Sequence, residues 1–191
     1  MNRPARQIEA DRDARGGFTA EDFLAIVDTG VFERIEGKVE LIEGVIVRMN
    51  PPYAAHSHYQ RRLFLELHQL FGEGRDGFIA AFEFSMRIGG DNVCTADVGI
   101  LRDTGRLEGL FDAGDALLVA EISDTSLARD RGDKRRLYAE AGVPHYWIVD
   151  LKGRRIECLA DPADGDYRSE KVVAFGDPIP APGADAEIRL D

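Results

Sequence analysis

The residues best suited to chemistry gather around a carboxylate that ends an apolar run. Ala116-Leu117-Leu118-Val119-Ala120 leads into Glu121, then Ile122-Ser123-Asp124-Thr125-Ser126, and Asp130 and Lys134 follow. An unpaired charge taken into an interior costs about several kcal/mol, so a strand that carries one inward needs compensation. A second acid, Asp97, stands between Val93-Cys94-Thr95-Ala96 and Val98-Gly99-Ile100-Leu101, which otherwise read as a buried strand. Two acids on neighbouring strands, with a lysine nearby, can hold Mg2+ through oxygen ligands. Such an ion polarises a phosphoryl oxygen and lowers the pKa of a bound water. The lysine can orient that water or stabilise developing negative charge.

Helical phase places the lysine. At about 100° per residue, Leu127, Asp130, Lys134, Leu137, Tyr138 and Ala141 fall within about 100° of one another, while Arg129, Asp133, Arg136 and Glu140 lie opposite. Asp130 and Lys134 therefore share a face with core-directed residues. The plainer alternative is a surface ion pair at i, i+4. His56 shares its side of a helix with Leu63, Leu67 and Leu70, and so points toward the sheet as a hydrogen-bonding neighbour rather than a ligand. His58 is about 200° away, so the two do not form a zinc motif. Tyr138 can hydrogen-bond a carboxylate of the site. Three arginine pairs, Arg61-Arg62, Arg135-Arg136 and Arg154-Arg155, are candidate phosphate contacts, with solvated surface the expectation for two of the three.

The elements that must position these groups follow from pattern. Thr19-Ala20-Glu21-Asp22 forms a capping box with Asp in the usual Glu place. Residues 38–42 and 45–49 read as a hairpin around Glu43-Gly44. A helix is expected over 55–71, with Leu63, Leu67 and Leu70 as its stripe. Strands are expected over 78–86, 93–101 and 116–123, and a helix over 127–141 that stops at Gly142 before Pro144. Strands over 145–150, 154–160 and 167–175 complete the pattern, with a last short strand at 188–190. Apart from the first short helix, two helices among some eight strands give an α/β or α+β domain around one central mixed sheet. Residues 116–150 fit a strand–helix–strand crossover.

Bulk properties bound the rest. A chain of 191 residues with 44% hydrophobic content reads as a flexible tail over 1–17 and a single domain over 18–191. A net charge of -11 disfavours broad, non-specific nucleic-acid binding but leaves room for a local basic groove and for carboxylates that await a metal. Cys94 and Cys158 are widely spaced and read as reduced thiols, as in the cytoplasm. The charged N-terminus carries no secretory signal, and no run of about 18 apolar residues suggests a membrane span.

At Asp97, Glu121-Ile122-Ser123 and Lys134 the chain resembles the PD-(D/E)xK nuclease superfamily, and specifically its Uma2 family. The likeness spans about residues 18–175. It rests also on Val39-Glu40-Leu41-Ile42-Glu43-Gly44, Pro51-Pro52 with His56, Ala96-Asp97-Val98, Val119-Ala120-Glu121-Ile122-Ser123, Asp130 with Lys134, and Tyr138-Ala139-Glu140-Ala141-Gly142-Val143-Pro144-His145-Tyr146-Trp147-Ile148-Val149-Asp150. The resemblance implies an α/β, restriction-endonuclease-like core: a central mixed β-sheet flanked by helices, with an N-terminal helix and β-hairpin. It also implies a divalent metal, Mg2+ with Mn2+ as substitute, and phosphodiester hydrolysis. Asp97 and Glu121 are the implied metal ligands, assisted by Glu40, with Lys134 as the catalytic lysine and His56, Asp130 and Tyr138 in support. Three departures stand out. Ala96 replaces the proline before the aspartate. Ser123 occupies the place of the motif lysine, whose role the resemblance moves to Lys134. Ser123-Asp124-Thr125-Ser126 replaces Ser-Pro-Ser-Thr, adding a carboxylate close to the implied metal.

The first expectation is a Mg2+-dependent endonuclease acting on DNA. A nuclease-fold binding or regulatory module without robust catalysis stays open, as does a hydrolase of RNA or small phosphodiesters. Exposed hairpin edges admit a homodimer.

Overall fold

Thr19 starts the first helix as its spacing to Asp22 predicts. The Thr19 hydroxyl accepts from the Asp22 N–H at 3.2 Å, and the Asp22 carboxylate accepts from the Thr19 N–H at 3.0 Å. The protein is described from a computed structural model over residues 16–72 and 74–191; the expected tail lies outside these residues except for Gly16 and Gly17.

In chain order the elements are α1 (Ala20–Val27), β1 (Val39–Ile42), β2 (Val45–Arg48), α2 (Ala54–Phe71), β3 (Phe78–Arg87), β4 (Val93–Arg102), β5 (Phe111–Asp112) and β6 (Ala116–Ser123). Then come α3 (Leu127–Arg129), a π turn (Asp130–Lys134), α4 (Arg135–Glu140), β7 (His145–Asp150), β8 (Arg155–Ala163), β9 (Asp166–Ala174), β10 (Ile179–Pro180) and β11 (Glu187–Ile188).

Two compact units divide the described residues, one of residues 16–51 with Arg87–Thr95, the other of Pro52–Met86 with Ala96–Asp191. The first unit contains α1 and the β1–β2 hairpin. Its turn residues Glu43 and Gly44 both take positive φ, 50° and 74°, the backbone that matches strand twist in two-residue hairpin loops. Leu41 pairs with Val93, and the Ala20 N–H donates to Gly90 O.

The second unit holds a mixed sheet in the order β4-β6-β7-β8-β9, with β3 paired to β4 and β5 paired to β3. β4–β6, β7–β8 and β8–β9 are antiparallel, while β6–β7 is parallel from Leu118↔His145 to Ser123↔Asp150. A parallel pair needs a crossover, and the helical stretch from α3 to α4 supplies it. The α/β class expected from the sequence holds: a central mixed sheet with helical segments on both of its faces.

Alternation along the strands gives the sheet two unlike faces. Leu118, Ala120 and Ile122 of β6, Trp147 and Val149 of β7 and Ile156 of β8 join Leu63, Leu67 and Phe71 of α2 in the main core. Phe71, rather than Leu70, completes the fully buried stripe of α2; Leu70 only packs against that core. The intervening positions Glu121 and Ser123, Asp150, and Glu157 are buried polar residues. No described helix is long and apolar enough to cross a membrane.

Two sequence expectations change. The C-terminal strand is Glu187–Ile188, paired with Ile179–Pro180, rather than 188–190. The helix over 127–141 is not regular, because the π turn Asp130–Lys134 interrupts it. It ends one residue early, in a Schellman closure where the Val143 N–H donates to Tyr138 O and the Gly142 N–H to Ala139 O, with Gly142 at φ 74°.

Gly99 on β4 is a packing requirement. A Cβ there would lie 2.6 Å from Leu118 O and 2.6 Å from Cζ of Phe84, whose ring covers the glycine backbone. Gly99→Ala is therefore expected to lower unfolding free energy by about 2–3 kcal/mol, as overpacking does. A urea titration followed by circular dichroism checks this; an unchanged midpoint would show that Phe84 yields freely.

Candidate active site

Glu121 lies between two core residues of β6 and is 4% exposed. Its Oε1 accepts from Lys134 Nζ at 2.9 Å and from the Tyr138 hydroxyl at 2.8 Å. Lys134, 5% exposed, closes the π turn, and Tyr138 follows one turn later on α4. The surface-pair alternative for Asp130 and Lys134 is thereby overturned: both side chains are buried.

Asp97 sits where the β4–β6 ladder stops, one residue beyond the Val98↔Ala120 pair. Its Oδ2 accepts from the Ile122 N–H at 2.9 Å, so a side chain takes over from the backbone ladder. The same oxygen is 3.0 Å from His56 Nε2 in the first turn of α2. One turn later on α2, Gln60 Nε2 donates to the Asp97 carbonyl at 3.2 Å. Asp97 is thus held against the residue that follows Glu121, and α2 fixes both its side chain and its backbone. His56 Nδ1 is buried with no hydrogen-bond partner among the described residues.

Asp130 opens the π turn. Its Oδ2 accepts from Ser123 Oγ and Ser126 Oγ, each at 2.6 Å. Burial pushes its carboxyl above the usual carboxylate range, and the Asp97 charge adds to the rise; Lys134 and the two serine hydroxyls act in the opposite direction. The π geometry shows in the Arg135 N–H, which donates to Asp130 O five residues back. That carbonyl also accepts from the Tyr146 hydroxyl at 3.1 Å. Single π turns inside helices concentrate at functional sites. Here the turn keeps Asp130 and Lys134 both inward, even though regular phase does not hold across it.

Sequence reasoning missed several supports. Tyr146, which anchors the turn, reads as an ordinary strand tyrosine. Ser123 and Ser126 bracket Asp130 only once the loop closes. A second polar cluster adjoins the first: Asp150 and Glu157 are buried beneath Arg131, which bonds both, and beneath Arg155, whose Nε is 3.3 Å from Asp150 Oδ2. Alternation along β7 and β8 could have flagged those two acids. Asp124 pairs with Lys152 Nζ at 3.6 Å. Glu40 is buried in the first unit, where its Oε1 accepts from the Thr95 N–H at 2.8 Å. Neither cysteine is in a disulfide, and burial pushes the Cys158 thiol up to about 12, which leaves it unreactive.

Among the described residues no three His, Cys, Asp or Glu side chains converge as a metal cage. The donor chemistry nevertheless suits Mg2+, which binds through one or two carboxylates and completes its shell with waters and substrate phosphates. Asp97, Glu121 and Asp130 are buried carboxylates, and Lys134 is the one buried lysine of the group. This excess of negative charge favours a hard divalent cation.

A family model described as "Uma2: Putative restriction endonuclease" matches residues 20–191. A solved structure of a putative nuclease belonging to DUF820 from Anabaena variabilis is similar in fold, with a TM-score of 0.64 and 18% identity over 90% of this chain and 94% of that one. No curated protein matches the chain.

Lys134→Met removes the cation from a buried carboxylate and is expected to cost about 3–5 kcal/mol of stability. Adding Glu121→Gln should recover part of that loss, because the stranded charge is gone. Denaturant unfolding of the two single variants and the double variant measures the coupling; losses that simply add, within about 0.5 kcal/mol, would show the pair to be independent.

Proposed function

The chain belongs to the Uma2 family, and from that premise we propose that it is a Mg2+-dependent endonuclease whose substrate is DNA. The observation that carries this reading is the buried contact of Glu121 with Lys134, beside an Asp97 held on the next residue of the same strand. The family supports nuclease action; the metal and the choice of DNA are this reading's own.

Asp97 and Glu121 would hold the metal. When bound, the ion supplies Lewis acidity at a phosphoryl oxygen and lowers the pKa of a coordinated water. His56 and the Ile122 N–H orient Asp97 through Oδ2, and Tyr138 with Lys134 orients Glu121 through Oε1. Lys134 brings an ammonium to the reaction centre, where it directs the attacking water and balances charge that develops on the phosphoryl oxygens. The water oxygen would bond to phosphorus and release a proton to solvent as the bond to the leaving sugar oxygen breaks, and the leaving oxygen would take up a proton from solvent. Asp130 holds the loop after β6 through Ser123 and Ser126, and so keeps Glu121 and Lys134 in register. Lys134, which donates to Glu121 at 2.9 Å, would take the part of the lysine missing at 123, and this favours an active centre over an inert module.

Purified protein with Mg2+ or Mn2+ is expected to nick plasmid DNA. Asp97→Ala, Glu121→Ala and Lys134→Ala should each lower the rate by about 100-fold or more. Equal rates for wild type and Asp97→Ala across duplex, single-stranded DNA and RNA would overturn the enzyme reading in favour of a binding module. Cleavage of RNA alone would reassign the substrate.

Metal binding is separable from turnover. Mg2+ at about 100 times its Kd should add about 2.7 kcal/mol to unfolding free energy. Glu121→Ala should remove that gain, and absence of any metal-induced rise in wild type would exclude a specific site.

A further inference from the structure

The turn that follows β7 brings a basic group to the rim of this site. The Leu151 N–H donates to Ser123 O at 3.0 Å, two residues beyond Glu121. Three residues later, Arg154 Nη1 donates to the Tyr59 hydroxyl at 3.4 Å. Tyr59 lies one helical turn along α2 from His56, about 5 Å by helix rise, and His56 contacts Asp97. One short turn is thus tied on one side to the strand of Glu121 and on the other to the helix that holds Asp97.

Arg154 differs from eight other arginines among the described residues of this acidic chain. Arg62, Arg87, Arg106, Arg131, Arg135, Arg136, Arg155 and Arg168 each pair with a carboxylate. The partners of Arg154 among the described residues are instead aromatic. Its guanidinium lies 5.2 Å from the centre of the Phe175 ring, which in turn packs 5.0 Å from Tyr59. Its carbonyl accepts from the Phe175 N–H at 3.1 Å. Its φ of 48° is a left-handed backbone more usual for Gly or Asn. The side chain is exposed. A planar cation held against an aromatic face, unspent on any carboxylate of the described residues, is preorganised for a phosphate.

Resting on the nuclease reading above, we propose that Arg154 is a substrate-binding residue that grips a backbone phosphate of the nucleic acid within a few nucleotides of the scissile bond. Of the three arginine pairs the sequence offers, the member set against an aromatic ring is Arg154. Arg155 is committed to Asp150, Arg135 to Asp166 and Glu170, Arg136 to Glu140, and Arg62 to Glu66.

The test uses Arg154→Gly, which suits the left-handed backbone, beside Arg168→Ala, which removes an equal charge from the Asp164 pair on β9. Full-length proteins are titrated into fluorescein-labelled duplex and single-stranded DNA in chelator, at several salt concentrations. Arg154→Gly should bind about tenfold more weakly, and its slope of log K against log salt should fall by about one counterion. With Mg2+, its KM should rise by a similar factor while kcat stays within about twofold of wild type, since the contact is equal in ground and transition states. Arg168→Ala should match wild type in both. Unchanged affinity and slope in Arg154→Gly, with wild type binding DNA, would overturn this proposal and leave the nuclease reading intact. No binding or cleavage by wild type would overturn both. Equal losses in Arg154→Gly and Arg168→Ala would reduce Arg154 to general charge and also overturn the proposal.

Discussion

A single constraint organises the second unit: a glutamate set on a central strand between core residues must find a cation. Glu121 cannot turn to solvent, because β6 is bordered by β4 and β7 and roofed by the crossover segment. Desolvating a carboxylate is expensive, and a buried ion pair recovers that cost only with good geometry and further hydrogen bonds. Lys134 and Tyr138 supply both on one carboxylate oxygen. The pair is therefore weak evidence for stability and stronger evidence for a task that needs charge in a shielded place.

The crossover segment does more than link two parallel strands. Within ten residues it provides Asp130, Arg131, Lys134 and Tyr138, all directed at the sheet. A regular helix offers inward positions at fixed steps. The π turn alters those steps and spends Asp130 O on the Arg135 N–H and the Tyr146 hydroxyl. The opposite face of the sheet is apolar and packed by α2, which can then serve as a rigid mount: its first turns hold Asp97 while its later turns fill the core.

Most of the fold was legible. The capping box at Thr19, the Glu43-Gly44 hairpin, α2 and the strand set all follow from local patterns that short-range sterics and hydrogen bonding enforce. Asp97, Glu121 and Lys134 stood out because each breaks an apolar pattern, and a broken pattern is visible in one dimension. The π turn was not legible, since the choice between i→i+4 and i→i+5 bonding depends on what the segment packs against. Tyr146, Ser123 and Ser126 were missed for a related reason: each is an ordinary residue in its own element and gains its role only from a partner elsewhere in the chain.

By itself, then, the sequence determined most of the strands and helices and which charges would be carried inward. These depend on periodicity and on the cost of burying charge, both properties of the chain. Only the tertiary structure decided which oxygen of each acid meets which donor, that Asp97 caps the ladder at Ile122, and that Arg154 is held by Phe175 and Tyr59. Those outcomes depend on register between strands and on contacts between segments far apart in sequence, and a difference of one residue in register would reverse every one of them.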